Sequence, residues 1–304
     1  MKRLPQIALL PDGKRLHLQD GPIDLIIQAD GATGNLRAAY AAAIGRFTGL
    51  LDELCDELPL LRSVANSKRC ILSGDVARRM HAAVAPFADD HFMTPMAAVA
   101  GSVAEEILGA MVKAAPLRRA YVNNGGDIAL HLTNDEQFMV GLIDRPDRQG
   151  LVRTAIVRAH DSTRGIATSG YHGRSFSLGI ADAVTVLART AAQADAAATV
   201  IANAVDLPGH PSITRCPANE LQPDSDLGPR MVTREVANLA ASEIATALSA
   251  GVAKACRLLH LGRIEAAALQ LKGDICLIGS PGGEANRFDM RYPAAARVPE
   301  GAYL

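Results

Sequence analysis

The sequence predicts an α+β fold of antiparallel strands and blocks of helix, on three observations. Strand-like and helix-like segments do not follow the strict βαβ alternation of a doubly wound sheet. The strand candidates are separated by turns rich in Gly, Asn, Asp and Pro, which join antiparallel neighbours. The segment from Asn35 to Leu61 carries Leu36, Tyr40, Ile44, Phe47, Leu50 and Leu51 at three- and four-residue spacing, the period of an amphipathic helix. A chain of 304 residues can bury a sizeable core. It reads as one domain over residues 1–280, with room for two packed subdomains, and an irregular tail at 281–304 rich in Gly, Pro and Ala.

Taken in order, Gln6 to Leu10 and Arg15 to Leu18 flank the turn Pro11-Asp12-Gly13-Lys14, and Ile23 to Gln28 adds a third strand after Gly21-Pro22. The helix from Asn35 is expected to end or bend at Pro59. Gly74-Asp75 opens a second helix that closes at Pro86, and Thr94-Pro95 caps and starts a third. The first turns of that third helix, Met96 to Ala104, carry mostly small side chains, which admit a close backbone or a ligand. Ala120 to Asn123, Ile128 to Leu132, Phe138 to Ile143 and Val152 to Arg158 read as four strands of an antiparallel sheet. Strands near Phe176 and at Ala183 to Leu187 and a helix from Thr190 to Val205 follow. The five prolines between Asp206 and Pro229 predict a long surface loop. A helix from Thr233 to Leu259 and a hairpin, Ala266 to Leu271 with Ile275 to Ile278, complete the fold.

Composition narrows the function. With 49% hydrophobic and 21% charged residues the chain is globular in type. Its net charge of -1, from 31 basic and 32 acidic residues spread along the chain, gives no basic face for nucleic acid or an anionic membrane. A small solute is the expected partner, and homo-oligomerisation is left open. The N-terminal residues do not form a signal-peptide apolar region, and no uninterrupted apolar run reaches the roughly 18 residues that span a bilayer, so a cytoplasmic location is expected. Cys55, Cys70, Cys216, Cys256 and Cys276 stand far apart without a C-x-x-C pair, which points to reduced thiols and not to zinc or disulfides.

Three short segments offer chemistry. Asn123-Asn124-Gly125-Gly126-Asp127 falls at a strand end, where paired glycines let amides turn toward an anion, although Gly-Gly-Asp also makes an ordinary hairpin turn. Ala167-Thr168-Ser169-Gly170 presents two hydroxyls and a glycine after a short apolar strand, donors of the kind a diphosphate uses. In Ala194 to Thr199 the carboxylate of Asp195 and the hydroxyl of Thr199 lie one helical turn apart, a spacing that suits a hard cation such as Mg²⁺.

In this order the segments resemble the ApbE family of FAD:protein FMN transferases. The family's Asn-x-Gly-Gly-Asn/Asp turn is matched by Asn123 to Asp127, and its strand ending in Asp-Pro is similar to Ile143-Asp144-Arg145-Pro146. Its Ala-Thr-Ser-Gly flavin-site motif stands at Ala167 to Gly170. Its Ser-Val-Thr-Val strand and Ala-Asp-Ala-Leu-Ala-Thr-Ala helix are similar to Ala183 to Val186 and Ala194 to Val200. The likeness runs from about Ile23 to Val205 and, more loosely, through the last helix and hairpin. It implies a T-fold-related arrangement of antiparallel sheets flanked by helices, and FAD bound through its diphosphate to Mg²⁺. The metal would take Asp195, Thr199 and a main-chain carbonyl near Ala98. FMN would be transferred to a Thr or Ser of an acceptor protein.

The sequence departs from the family at two places. Leu178 stands where the family has a histidine, the base for the acceptor hydroxyl, and the loop after it is missing. The family's Ile-Ala-Lys-Gly becomes Val99-Ala100-Gly101-Ser102, without the lysine. His172 and Asp182 are the replacements the sequence offers for acid–base work, His91 is a second imidazole, and Arg174 is placed to pair with a phosphate. A divergent transferase, a non-catalytic flavin-binding or delivery protein, and an enzyme of the same fold acting on another small cofactor-like or aromatic molecule all stay open.

Overall fold

The computed structural model describes residues 4–145, 148–279 and 288–289. In chain order the strands are β1 (Gln6–Leu9), β2 (Leu16–Asp20), β3 (Ile23–Asp30), β4 (Arg119–Asn124), β5 (Asp127–Leu132), β6 (Gln137–Arg145) and β7 (Arg148–Arg158). They continue with β8 (Gly165–Ser169), β9 (Ala183–Ala188), β10 (Ile213–Pro217), β11 (Met231–Val236), β12 (Ala266–Leu271), β13 (Asp274–Ile278) and β14 (Phe288–Asp289). The helices are α1 (Thr33–Phe47), α2 (Leu50–Asp56), α3 (Leu58–Leu61), α4 (Asp75–Val84), α5 (Val99–Ala114), α6 (Ala191–Ala204), α7 (Ala218–Leu221) and α8 (Ala241–His260). Contacts divide the chain into two compact units: Met1–Glu136 with Arg164–Ala167 and Ala188–Ala196, and Gln137–Thr163 with Thr168–Leu187 and Ala197–Leu304.

The first unit grows from alternation. In β2 and β3 every second residue is buried, so Leu16, Leu18, Leu25 and Ile27 line one sheet face, as the period of a half-covered strand demands. β1 to β5 pair as sequential antiparallel neighbours, and β5 takes β8 on its far side through Ile128 and Ile166. Ala39, Ala43 and Phe47 of α1, Met80 of α4, and Val103, Ile107 and Met111 of α5 cover that face in one core. The stretch Pro95–Ala114 has the length and hydropathy to cross a bilayer by composition alone, with a mean hydropathy of 1.3, and half of that window is buried in the protein.

The single helix expected over Asn35 to Leu61 is three. Gly49 adopts φ +85°, a left-handed conformation that ends α1 and restarts the chain as α2, and Pro59 lies inside the short α3. Periodicity continues across the break because α2 packs its Leu50 and Leu54 into the same core. Replacing Gly49 by Ala is expected to cost about 1 kcal/mol in chemical denaturation, the price of a left-handed residue with a Cβ, without loss of helix content by circular dichroism.

In the second unit β9 is buried along its whole length and pairs with β12, which pairs in turn with β13. α8 packs on these strands through Ala247, Leu248, Gly251, Ala255 and Leu258. The four strands expected as one sheet divide: β4 and β5 pair in the first unit, whereas in the second β6 pairs with β7, which takes β14 on its other side. No strand forms near Phe176. There the Asn203 carboxamide accepts hydrogen bonds from the Leu178 amide at 3.0 Å and the Ser177 hydroxyl at 3.3 Å, and these replace a ladder. The loop expected over 206–229 contains β10 and α7, and β11 replaces the first turn of the helix expected from Thr233. The β-branched residues Val232, Thr233 and Val236 favour that strand. The helix begins only after Ala240, whose amide is capped by the Glu243 carboxylate at 2.7 Å. Pro146 and most of the C-terminal tail lie outside the described residues.

Candidate functional site

The first unit brings two of the three sequence segments to one place, the start of α5. A 3-10 turn over Pro95–Ala98 precedes this helix, and its N-cap is the buried Ala98, whose side chain has no acceptor to offer the first amides. Asp195 of α6 supplies it. The Asp195 carboxylate accepts from the Gly101 amide at 3.0 Å and also from Ala100. Asn124, at the end of β4, donates its side-chain amide to the Ala100 carbonyl at 3.2 Å. The Asn123–Asp127 turn, the small-residue helix and the acid of α6 are therefore tied through two adjacent residues of α5.

The turn itself is a two-residue hairpin. Asn124 pairs with Asp127, and Gly125 and Gly126 take φ +65° and +111°, the doubly left-handed geometry that only glycine adopts without strain. The Gly126 amide donates to the Asn123 side chain at 2.8 Å, so this amide is engaged within the turn, not directed at an anion as the glycine pair had suggested. Asn124 is the residue that connects the turn to α5, and its burial at the head of a Gly-Gly pair is the signal that marks it.

Asp195 keeps some exposure, yet protein atoms crowd its carboxylate, and burial pushes its pKa up to about 7 against the downward pull of the Gly101 and Ala100 amides. Among the described residues no cationic side chain pairs with it. A carboxylate whose charge is met, among the described residues, only by the Gly101 and Ala100 amides fits a hard cation that completes its shell with water and phosphate oxygens. Among the described residues no three His, Cys, Asp or Glu side chains converge on a common point.

Glu105 was missed by sequence reasoning. It accepts the Ala192 amide at 2.7 Å and so caps α6, while Asp195 of α6 caps α5. Arg79 holds Glu105 at 3.3 Å and Glu106 at 2.9 Å, and donates to the Ser102 carbonyl at 3.1 Å. Two adjacent acids within a largely apolar helix were the available sign. Glu105→Ala is expected to lower stability by about 1–2 kcal/mol in urea unfolding, with most of the loss restored in Glu105→Gln, which keeps an acceptor for Ala192.

The second unit holds the remaining candidates. Thr168 shares a hydrogen bond with the Thr185 hydroxyl at 2.9 Å, and Ser169 and Gly170 follow at the strand end. Gly170 lies so near the Asp182 backbone that a Cβ would stand 2.4 Å from its carbonyl oxygen. His172 stacks on Tyr171, with ring centroids 3.9 Å apart, and its Nε2 lies 3.3 Å from Asp182 Oδ1, within ion-pair reach though not aligned as a hydrogen bond. Arg174 is exposed in the same loop, and Thr199 is partly exposed on α6, one turn beyond Asp195. His91 lies in the first unit, before the 3-10 turn.

Among known proteins, residues 7–277 match a family model described as AbpE bacteria. The UPF0280 protein of Methanosarcina acetivorans is 42% identical over 117 residues, 37% of this chain and 44% of that protein. The UPF0280 protein of Methanopyrus kandleri is 34% identical over 184 residues, 59% of this chain and 69% of that protein. The alignment thus spans less than half of the first of these relatives. Among solved structures, the ApbE protein from Thermotoga maritima aligns with a TM-score of 0.39 and 11% identity, over 67% of this chain and 88% of that one.

Proposed function

The chain belongs to the family described as AbpE bacteria, within the ApbE-like superfamily, and from that premise we propose that it binds a flavin nucleotide, FAD or a close relative, together with Mg²⁺, as a divergent FMN transferase. The observation that carries this reading is Asp195, a crowded carboxylate with no cationic partner among the described residues, which caps the small-residue helix to which Asn124 ties the Gly125-Gly126 turn. Asp195, Thr199 and a main-chain carbonyl near Ala98 would hold the cation. When bound, Mg²⁺ would neutralise diphosphate charge. For the nucleotide the resemblance offers Asn123, Gly125 and Asp127 in the first unit, where the Gly126 amide is already taken by Asn123, and Thr168, Ser169, Gly170 and Arg174 in the second; His172 and Asp182 are those assigned to proton transfer. The acceptor hydroxyl belongs to a protein partner or to water, and the setting is cytoplasmic, in keeping with five free thiols.

The test begins with the purified protein. A bound yellow chromophore, or a change in flavin absorbance when FAD and Mg²⁺ are added, is the expected result, followed by release of AMP. FAD that is bound but left intact would favour the flavin-binding or delivery reading, in line with Leu178 at the family's histidine position. No flavin binding, with or without Mg²⁺, would sink both readings in favour of another small cofactor-like or aromatic substrate.

A further inference from the structure

We infer that His172 and Asp182 act as one acid–base dyad, in which Asp182 is the positioning residue that fixes the imidazole proton on Nε2 and so makes Nδ1 the base. The inference rests on the flavin-nucleotide reading for its substrate, but its geometry lies wholly within the second unit.

Asp182 is buried and held from several sides. Its amide donates to the Gln270 carbonyl at 2.9 Å, and its Oδ2 accepts the amide of Lys272. Lys272 has φ +51°, a left-handed conformation that is unfavourable for a residue with a side chain and persists where its surroundings fix it. Here they do, because the Lys272 ammonium also donates to the Val236 carbonyl. With Oδ2 committed to the β12–β13 turn, Oδ1 is the oxygen that faces His172 Nε2. The backbone reinforces the approach: the Tyr171 amide donates to the Ala181 carbonyl at 3.0 Å, and Gly170 leaves no room for a Cβ against Asp182. The histidine side chain is 21% exposed and the aspartate 7%, so the pair has a solvated end and a buried end, as an imidazole oriented by a carboxylate requires.

The proton balance is simple. As the oxygen of an attacking hydroxyl forms its bond to the FMN phosphorus of FAD, its proton passes to Nδ1, and the bond from that phosphorus to the bridging oxygen breaks, with AMP leaving. The imidazolium then carries one proton on each nitrogen, its charge stabilised by Asp182, and returns the added proton to solvent. The products are AMP and an FMN ester, or free FMN where the hydroxyl is water.

Asp182→Asn is the informative change, because the amide oxygen can still accept the Lys272 amide while the amide nitrogen turns toward His172. A donor there forces Nε2 to accept and moves the proton to Nδ1, the wrong tautomer. Nitrogen-15 shifts of His172 in the full-length protein should report a proton on Nε2 in the wild type and on Nδ1 in Asp182→Asn. The kcat for AMP release from FAD should fall about 100-fold or more in Asp182→Asn and in His172→Gln, with KM changed little, and imidazole should partly rescue His172→Gln. Water or a Ser/Thr peptide as acceptor is told apart by free FMN or a flavin-labelled peptide. A tautomer that Asp182→Asn does not change overturns the dyad. So does His172→Gln turning over like the wild type, or a wild type that binds FAD without releasing AMP. Loss of flavin binding in the wild type instead overturns the substrate reading, and the nitrogen-15 experiment still decides the pairing.

Discussion

Asp195→Asn is expected to lower affinity for Mn²⁺ or Mg²⁺ about 100-fold or more, and to abolish cation-dependent flavin chemistry, while the protein stays folded. Loss of groups that only support a metal ligand already costs 10- to 100-fold, and here the charge itself is removed. The fold survives because the carboxamide oxygen still accepts the Gly101 amide, so α5 keeps its cap. Stability should separate the two proteins by pH, and the sign follows from linkage. Burial raises the folded-state pKa of Asp195 from an ordinary carboxylate value to about 7, so between those values the folded chain binds more protons than the unfolded one. Wild-type stability from this group is full below about pH 4, declines as pH rises toward 7, and levels off above it. Asp195→Asn should lack that decline. Cation binding, which displaces the proton, should strengthen over the same interval. Urea unfolding at pH 5, 6, 7 and 8 and Mn²⁺ titration read both. Identical pH slopes in the two proteins, or unchanged Mn²⁺ affinity, would remove Asp195 from the candidate site.

Much of this was legible in the sequence where one local rule decides. The strands expected at Arg15 to Leu18 and Ile23 to Gln28, the hairpin at Lys272-Gly273 and the helix following Thr190 lie close to the observed bounds, because apolar runs and turn chemistry are local. What misled was competition from elsewhere in the chain. Apolar spacing runs through Gly49 without a sign that the backbone turns left-handed there. Five prolines hid β10, because a proline at the end of a strand removes no ladder bond that matters. The site divides in the same way. Asp195 was singled out by its spacing to Thr199. That it caps α5 while Glu105 caps α6 depends on residues 94 and 87 positions apart, which no local pattern contains. His172 and Asp182 were named separately, and only folding shows that the carboxylate faces the imidazole.

The second large effect lies in two glycines that clamp the start of α6. An ideal Cβ on Gly101 would stand 2.4 Å from the Ala191 carbonyl oxygen and 2.8 Å from the Ala192 nitrogen, and one on Gly165 would stand 2.1 Å from the Thr190 carbonyl carbon. These are backbone atoms at a helix start and cannot swing aside as a side-chain tip would, so the elements must separate. This also accounts for the departure at Gly101, where the family carries lysine: α6 occupies the space a side chain would need. Gly101→Ala and Gly165→Ala are each expected to destabilise the protein by about 3 kcal/mol or more, at the upper end for overpacking. Gly101→Ala should weaken Mn²⁺ binding as well, because the amide that Asp195 accepts is displaced with it. Gly109, two turns further along α5, has nothing within 4 Å of its Cβ position. Gly109→Ala should therefore stabilise the protein by roughly 0.5–1 kcal/mol through helix propensity alone. Opposite signs from the same substitution in one helix are what close backbone approach predicts, and equal effects in thermal unfolding would show that α5 and α6 are not packed in this way.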